Sequence, residues 1–207
     1  MEEKRIVREG YNAIVDAYLS TRSGDSENIR LLSELEDRLR PGAWILDAGC
    51  GAGVPVAERL SRSFHVVGVD FAEGQLRRAR ILVPQARFAC QDLSRLGFRR
   101  ETFDAVCSYY AVIHVPRREH EGILRSFRRL LKPSGVALLC LGAEDLEADI
   151  AEDYLGSRMY WSHYDAGTNL GLVRAAGFAV IWSRIVEDDT SPGSSHLFVV
   201  ARKSSGI

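Results

Sequence analysis

Between residues 44 and 142, short apolar runs of strand type alternate with segments of helical periodicity. The predicted strands are WILDA (44–48), FHVVGVD (64–70), ARFACQ (86–91), FDAVCSYY (103–110) and GVALLCLG (135–142). Helical spacing lies between them at Val56 with Leu60, at Leu76 with Ala79 and Val83, and at Ile123 with Phe127 and Leu130. Pro116 can open the third of these helices, and KPSG, from Lys132, is predicted to close it. Strands joined by helical crossovers form a parallel sheet buried on both faces, so this alternation predicts an α/β fold.

Both ends of the chain depart from this alternation. Residues 1–40 have the pattern of two helices, RIVREGYNAIVDAYLS and SENIRLLSELEDRLR, joined by a polar turn of Ser23, Gly24 and Asp25. The runs FAVIWSRIV (178–186) and HLFVVARK (196–203) flank an acidic turn rich in Pro, Gly and Ser, which predicts an antiparallel pair at the sheet edge. We therefore predict a doubly wound, mostly parallel seven-stranded sheet with an antiparallel C-terminal strand and an N-terminal helical cap.

Composition and charge limit the class of protein. A chain of 207 residues with 46% hydrophobic content can bury one substantial core, which predicts a single domain. Its formal net charge of -1 argues against a nucleic-acid partner. The four cysteines form no C-x-x-C pair, which favours a reducing compartment over a disulfide framework or a metal site. The first residues lack an apolar signal core, and GVALLCLGA, from Gly135, is too short to span a bilayer, so we expect a cytoplasmic protein without membrane contact.

Three glycines, Gly49, Gly51 and Gly53, follow the first predicted strand and precede a helix. Glycine lets a ligand approach the backbone amides at a helix N-terminus, as in a nucleoside-cofactor site. The dinucleotide fingerprint G-x-G-x-x-G is not matched, because the third glycine comes one residue early and Val54 stands in its place. Asp47 would repel a pyrophosphate, although it suits a ligand with a cationic amino group. An NAD-dependent oxidoreductase is therefore disfavoured.

Two further acids follow the next two predicted strands. Asp70 ends the second strand, where a carboxylate can accept from both hydroxyls of a ribose. Asp92, in CQDL, follows the third strand and can accept from an exocyclic amine. A single Asp at a strand end is more often a cap or turn residue, but three at successive strand ends favour a ligand site. Amine, ribose and base without phosphate describe S-adenosylmethionine.

The motifs LDAGCGAG, VVGVDFAEGQLRRAR, CQDL, FDAVCSYYAVIHV and LLKPSGVALL resemble, in this order, those of class I S-adenosylmethionine-dependent methyltransferases. HVPRREH and MYWSHYDAGTN further resemble a bacterial subgroup of small-molecule methyltransferases. The resemblance implies a Rossmann-like fold with S-adenosylmethionine as cofactor. It assigns the methionine part to the turn of Asp47, Ala48, Gly49, Gly51 and Gly53, the ribose to Asp70, the adenine face to Phe71, and the adenine edge to Asp92 and the Leu93 amide. Gln91 and Tyr109 are assigned to the same site, and Tyr11 can close over the cofactor.

The acceptor is expected beyond the carboxyl ends of the strands. The segment from Glu144 to Asn169 concentrates Tyr154, Tyr160, Trp161 and Tyr164 beside Asp153, His163 and Asp165, a mixture that suits a small, partly polar molecule or simply packs onto the sheet. Two histidines are candidates for a catalytic base: His114, just past the fourth strand, and His163. Alternatively, His114 caps or orients the helix that follows Pro116. Methyl transfer can proceed on alignment alone, so the reaction does not require a base.

The predicted domain thus has four parts: a helical cap (1–40), a cofactor-binding core (44–142), an acceptor-side segment (144–169) and C-terminal elements (170–207). The expected activity is methyl transfer from S-adenosylmethionine to an O, N or S atom of a small molecule, by a monomer or homodimer without a metal. A catalytically silent regulatory subunit that binds S-adenosylmethionine is the alternative from another class.

Overall fold

The computed structural model describes residues 2–22, 24–188 and 193–204. The strands in these ranges are β1 (Trp44–Ala48), β2 (His65–Asp70), β3 (Arg87–Cys90), β4 (Phe103–Ser108), β5 (Leu131–Gly142), β6 (Leu146–Tyr154), β7 (Ser157–His163), β8 (Phe178–Glu187) and β9 (Ser195–Lys203). The helices there are α1 (Glu2–Ala13), α2 (Val15–Ser20), α3 (Glu27–Arg30), α4 (Ser33–Glu36), α5 (Val56–Leu60), α6 (Glu73–Leu82), α7 (His120–Leu130) and α8 (Ala166–Ala175). Short 3₁₀ turns cover Leu93–Arg95, Val112–His114 and Arg117–Glu119.

Seven strands form one sheet in the order β3-β2-β1-β4-β5-β9-β8. The first five are parallel, whereas β9 runs antiparallel to both β5 and β8. This confirms the predicted Rossmann-like architecture with its antiparallel C-terminal strand. The strand order reverses at β1 and β4, so a crevice opens there beyond the carboxyl ends of the strands.

The sheet is buried on both faces, as its near-continuous apolar strands require. Adjacent residues Ile45 and Leu46 of β1 are both fully buried but belong to different core clusters. Leu46 packs in the cluster that contains Phe127 of α7, and Ile45 packs in the cluster that contains Leu60 of α5. Covering both faces leaves the strand ends as the open surface of the sheet.

The N-terminal helices are more broken than the sequence predicts. The first predicted helix bends at Ile14, whose backbone (φ -104°, ψ 21°) leaves the helical region while its side chain is buried beside Met159. The second predicted helix is divided at Leu31 and Leu32, where i to i+3 hydrogen bonds tighten the chain. The apolar residues at both breaks, Ile14, Leu31 and Leu32, are buried. Ser23, in the predicted turn between them, lies outside the described residues.

The end of β4 and the start of β5 also differ from prediction. The strand predicted to reach residue 110 ends at Ser108, because the chain turns at Tyr110 with a φ of 51°. KPSG is no separate turn: β5 begins at Leu131, directly after α7, and the motif interrupts its pairing with β4 as a bulge in which Ser134 has a φ of 62°. Pro116 precedes a 3₁₀ turn, so α7 itself begins only at His120.

An antiparallel hairpin, β6 with β7, occupies the acceptor-side segment and was not predicted from the sequence. It forms its own two-stranded sheet and packs on α1, where Met159 and Tyr160 join a cluster with Ile6, Val7 and Ile14. The β8–β9 pair lies where the sequence predicts it, although residues 189–192 of the connecting turn are outside the described residues. No helix in the described part of the chain is long and apolar enough to cross a membrane.

Candidate active site

The glycine turn after β1 is held tightly against the carboxyl end of β2. The amides of Gly49 and Cys50 both donate to the carbonyl oxygen of Val69, at 2.8 and 3.0 Å. Gly49 has a φ of 83°, and a Cβ atom there would overlap the side chain of Ala111. Glycine is therefore required both for the turn and for the close approach of the neighbouring chain.

Asp70 joins this turn to the start of α6. Its Oδ2 accepts from the Gly51 amide at 3.0 Å, and its Oδ1 accepts from the Ala72 amide at 2.9 Å. Burial raises the pKa of Asp70, against the opposite effect of these amide hydrogen bonds. Each carboxylate oxygen can accept a second hydrogen bond, and Asp70 lines the neighbouring cleft, so it can still receive two ligand hydroxyls.

Asp47 is buried in β1 with an unsatisfied carboxylate. It is 1% exposed, and its Oδ2 has no hydrogen-bond partner. Burial, together with the nearby charge of Asp70, raises the pKa of Asp47 to about 7. A buried carboxylate without a partner is costly in a protein, and a cationic ligand group beside it would remove that cost.

A cleft of about 620 Å³ lies above these residues. Of the residues predicted to bind the cofactor, those that line it are Tyr11, Gly49, Gly51, Asp70, Phe71, Gln91, Asp92, Leu93 and Tyr109. Asp47, Ala48 and Gly53 do not line it. Ala48 is fully buried and its carbonyl accepts from the Ser108 hydroxyl, while Gly53 allows close packing against Val83 and Phe88.

A second cavity of about 510 Å³ adjoins the cleft and is lined by Asp47 and Arg22. The two cavities share Tyr18 and Tyr110, and the Arg22 guanidinium lies over both of these rings, at 4.3 and 5.1 Å from their centres. The Nε atom of Arg22 is buried without a hydrogen-bond partner. A carboxylate and a guanidinium on the walls of one cavity complement an α-amino acid group, whose amine and carboxylate carry the opposite charges. We call it the amino-acid cavity.

Lys4 of α1 closes the other end of the cleft through Asp92. Its ammonium donates to Asp92 Oδ2 at 3.0 Å, to Ser94 Oγ at 2.9 Å and to Glu119 Oε2 at 2.6 Å. Burial acts to raise the pKa of Asp92, but the Ser94 amide and the Lys4 ammonium lower it overall. Asp92 therefore stays ionised and caps the 3₁₀ turn that begins at Leu93.

Gln75 of α6 lies in the cleft, although sequence reasoning left it out of the site. It is 1% exposed, its Nε2 donates to the Tyr11 carbonyl at 3.1 Å, and its Oε1 has no partner. Beside it, the Gly74 amide donates to the side-chain oxygen of Asn12 at 2.7 Å. The first turn of α6 thus holds α1 over the cleft.

His114 is buried with both ring nitrogens in hydrogen bonds. Its Nδ1 lies 2.8 Å from the Tyr160 carbonyl, which can only accept, so Nδ1 carries the proton and donates. Nε2, 2.9 Å away, therefore accepts from the Tyr11 hydroxyl. Burial lowers the pKa of His114 to about 4, against the opposite effect of the Tyr160 bond, and the ring is neutral at physiological pH. The base role predicted for His114 can be exerted only through the Tyr11 hydroxyl in this arrangement.

A larger, more open cavity of about 1290 Å³ lies between the hairpin and the β8–β9 end of the sheet. It shares Tyr11, Tyr18, Tyr110 and His114 with the cofactor cleft, so the two spaces meet at these four side chains. We call it the acceptor cavity.

The hairpin contributes only some of its predicted residues to the acceptor cavity. Tyr154, Trp161 and His163 line it, and the Nδ1 of His163 donates to the Glu144 carbonyl at 2.7 Å. The other predicted residues have structural roles: Asp153 accepts from the Gly156 amide, Asp165 caps α8, Tyr160 packs on α1, and Tyr164 lies against Arg117 and His120.

Within the described ranges, no group of three or more His, Cys, Asp or Glu side chains is arranged to hold a metal ion.

The part of the chain that contains these strand ends is similar to a known protein family. Residues 45–135, from β1 into the β5 bulge, match the family model described as a methyltransferase domain. This chain contains a methyltransferase domain. The domain therefore includes Asp47, Asp70, Asp92 and His114.

Sequence relatives agree with this assignment. The chain is 35% identical over 105 residues to a sterol 24-C-methyltransferase of Gibberella zeae, and 30% identical over 162 residues to phosphoethanolamine N-methyltransferase 1 of Arabidopsis thaliana. These matches cover 47% and 73% of this chain but only 27% and 31% of the relatives, so the chain spans less than a third of their length.

A crystal structure of 1,6-didemethyltoxoflavin-N1-methyltransferase from Burkholderia thailandensis has the same fold, with a TM-score of 0.74 at 20% identity. The match covers 99% of this chain and 90% of that one. That structure contains bound 1,6-didemethyltoxoflavin and S-adenosylhomocysteine.

Proposed function

We propose that this protein transfers a methyl group from S-adenosylmethionine to an oxygen, nitrogen or sulfur atom of a small molecule. The observation that carries the proposal is the partnerless buried oxygen of Asp47, near Asp70 and at the end of β1, just before the turn of Gly49, Gly51 and Gly53. A neutral or phosphate-bearing ligand would leave that carboxylate uncompensated, whereas a ligand with a cationic amine compensates it. Bound there, S-adenosylmethionine supplies a methyl group on a sulfonium, which is electrophilic enough to need no covalent enzyme intermediate.

The residues of the two joined cavities fit the parts of this cofactor. Asp47 would hold its amino group and Arg22 its carboxylate, since both residues line the amino-acid cavity. Asp70 would accept from the ribose hydroxyls, as the sequence predicts. Phe71, Asp92 and Leu93 line the remaining end of the cleft, where the adenine is predicted to lie.

On the acceptor side, the chain aligns the acceptor and excludes water. The acceptor cavity has room for a small molecule, and its aromatic walls with interspersed polar groups suit a partly polar one. Tyr11 stands at the boundary with the cofactor cleft, and its hydroxyl is held in one orientation by His114. Holding the reacting groups in near-attack geometry can lower the barrier by as much as ~7–11 kcal/mol.

Several finer features belong to the same proposal. The helical cap (1–40), the core (44–142), the segment 144–169 and the C-terminal part (170–207) act as one domain, in which the hairpin supplies the acceptor side. A small-molecule acceptor, rather than a nucleic acid or a membrane, agrees with the net charge of -1. The four free cysteines agree with a cytoplasmic location. The proposal also includes membership of the bacterial subgroup of small-molecule methyltransferases. It further includes a monomeric or homodimeric state.

The test combines binding with turnover. Calorimetry should show binding of S-adenosylmethionine and S-adenosylhomocysteine and no binding of NAD. Incubation with S-adenosylmethionine and a panel of phenols, amines and thiols should then give a product heavier by one methyl group, read by mass spectrometry. Binding without any product would favour a regulatory subunit, and binding of NAD alone would refute the proposed cofactor.

A further inference from the structure

One histidine of the acceptor cavity, His196, differs from His114 and His163 in the hydrogen bonding of its ring. It lies near the start of β9, paired with Gly142 of β5 and Val186 of β8, and is 9% exposed. His114 and His163 both donate from Nδ1 to a main-chain carbonyl, whereas Nδ1 of His196 has no hydrogen-bond partner. His196 is therefore a buried polar side chain that lines the acceptor cavity and whose Nδ1 makes no hydrogen bond.

His196 lies next to the point where all three cavities meet. Its ring packs edge-on against the ring of Tyr110, with the centres 4.9 Å apart. Tyr110 lines the cofactor cleft, the amino-acid cavity and the acceptor cavity, and its hydroxyl accepts a 2.6 Å hydrogen bond from Asn28. His196 thus lines the acceptor cavity and contacts the aromatic ring that borders the junction at which acceptor and cofactor are expected to meet.

Burial keeps the His196 ring neutral, and a nearby carboxylate favours one of its two tautomers. Burial lowers its pKa to about 4; Asp188 acts to raise the pKa, while His163 and Arg22 act to lower it. The Asp188 carboxylate lies at the end of β8 with its Oδ2 3.9 Å from Nδ1 of His196. A carboxylate on the Nδ1 side favours the tautomer with the proton on Nδ1, which leaves the basic lone pair on Nε2.

We propose that His196, positioned by Asp188, accepts the proton of the acceptor during methyl transfer. As the acceptor heteroatom forms its bond to the methyl carbon, its proton passes to Nε2 of His196. The bond between that carbon and the sulfonium sulfur breaks, and its electron pair stays on sulfur. The imidazolium then returns the proton to water through the open mouth of the cavity. This inference rests on the proposed function, in which His114 acts only through Tyr11.

Two variants remove the proposed base while each keeps a polar group at one of the two ring-nitrogen positions. His196→Asn keeps a polar group near the Nδ1 position and His196→Gln keeps one near Nε2, but neither provides a base. Both should retain the affinity for S-adenosylhomocysteine, because His196 does not line the cofactor cleft. With any acceptor that the panel identifies, single-turnover rates at saturating S-adenosylmethionine should fall ~10²-fold or more. The matched control is His65→Gln, which removes an exposed histidine at the start of β2 and should keep the native rate.

A spectroscopic measurement tests the positioning role of Asp188 without an acceptor. In the full chain saturated with S-adenosylhomocysteine, nitrogen spectra of labelled histidine should show His196 neutral with its proton on Nδ1. Asp188→Asn should lower the pKa of His196 and populate the other tautomer, while the spectrum of His114 stays unchanged. A native protein with the His196 proton on Nε2 would overturn the proposal even if the substituted proteins failed to fold.

Different results would refute the role of His196 and the proposed methyltransferase function. If the native protein methylates an acceptor and both His196 variants match its rate and pH profile, the role of His196 is refuted and the proposed function stands. If the native protein binds the cofactor but methylates nothing in the panel, the proposed function fails and the role of His196 fails with it.

Discussion

Replacement of Asp47 by asparagine should stabilise the ligand-free protein at neutral and higher pH. The pKa of this buried carboxyl rises from 3.8 to about 7 on folding. At 1.36 kcal/mol for each pKa unit, ionised Asp47 destabilises the ligand-free fold by ~4 kcal/mol above that pH. Because the folded pKa is the higher one, the stability is present below about pH 4 and is lost as the pH rises to about 7. Asparagine does not ionise, so the Asp47→Asn protein should be spared this loss.

The assay is urea unfolding of the native and Asp47→Asn proteins at about pH 4 and about pH 8. The free energy of unfolding should differ little at the lower pH, and the variant should be more stable by up to ~4 kcal/mol at the higher pH. The matched control is Asp104→Asn on β4. Despite partial burial, hydrogen bonds from Lys132 and the Trp44 amide lower the pKa of Asp104, so its loss should instead destabilise the protein at higher pH.

The same substitution of Asp47 should weaken binding of S-adenosylhomocysteine. A hydrogen bond to a charged group contributes ~1.5–3 kcal/mol, which corresponds to a roughly 10- to 150-fold loss of affinity by calorimetry. A variant that gains stability while losing affinity would show that the fold tolerates Asp47 for the sake of its ligand. Equal pH dependence of unfolding in the native and Asp47→Asn proteins, or unchanged affinity in a folded variant, would refute the reasoning.

Three further predictions follow from the contacts of the site. Asp70→Ala should weaken S-adenosylhomocysteine binding by ~1.5–3 kcal/mol for each ribose hydrogen bond lost, with the fold checked by circular dichroism; unchanged calorimetric affinity would contradict the ribose assignment. Tyr11→Phe leaves Nε2 of His114 without its donor and should cost ~1–3 kcal/mol of stability in urea unfolding, and a smaller effect would mean that water replaces the hydroxyl. Amide hydrogen exchange in residues 144–169 and around Tyr11 should slow when S-adenosylhomocysteine is bound, whereas equal protection with and without it would argue against closure over the site.

The parallel core was predictable because its strands are buried on both faces. Such strands are near-continuous apolar runs, and the crossover helices between them keep their own spacing. The β6–β7 hairpin was missed because its first strand, LEADIAEDY, is acidic and mostly exposed. Its stability comes from packing on α1, a contact between parts of the chain that are far apart in the sequence. The breaks at Ile14 and at Leu31 likewise follow from tertiary packing rather than from local preference.

The candidate site also contains some residues that the sequence predicts and others that only tertiary packing brings together. The placement of Asp47 and Asp70 at one edge of the sheet could be predicted because each stands at a strand end, a position that parallel topology alone brings to that edge. Lys4, Arg22 and Gln75 belong to helices or to the turn after one, where a polar side chain has the same pattern as a solvated face. Only the folded chain brings Lys4 and Gln75 to the cleft and Arg22 to the amino-acid cavity, so no local signal marks them.

The hydrogen bond from His114 to Tyr160 uses a main-chain oxygen, and this affects how the hairpin can vary during evolution. A substitution at position 160 keeps the carbonyl, so the tautomer of His114 does not depend on which residue stands there. An insertion or deletion between residues 146 and 163 would move the carbonyl away and leave Nδ1 without its acceptor. Homologues with different acceptors should therefore differ in the side chains of the hairpin while they keep its length.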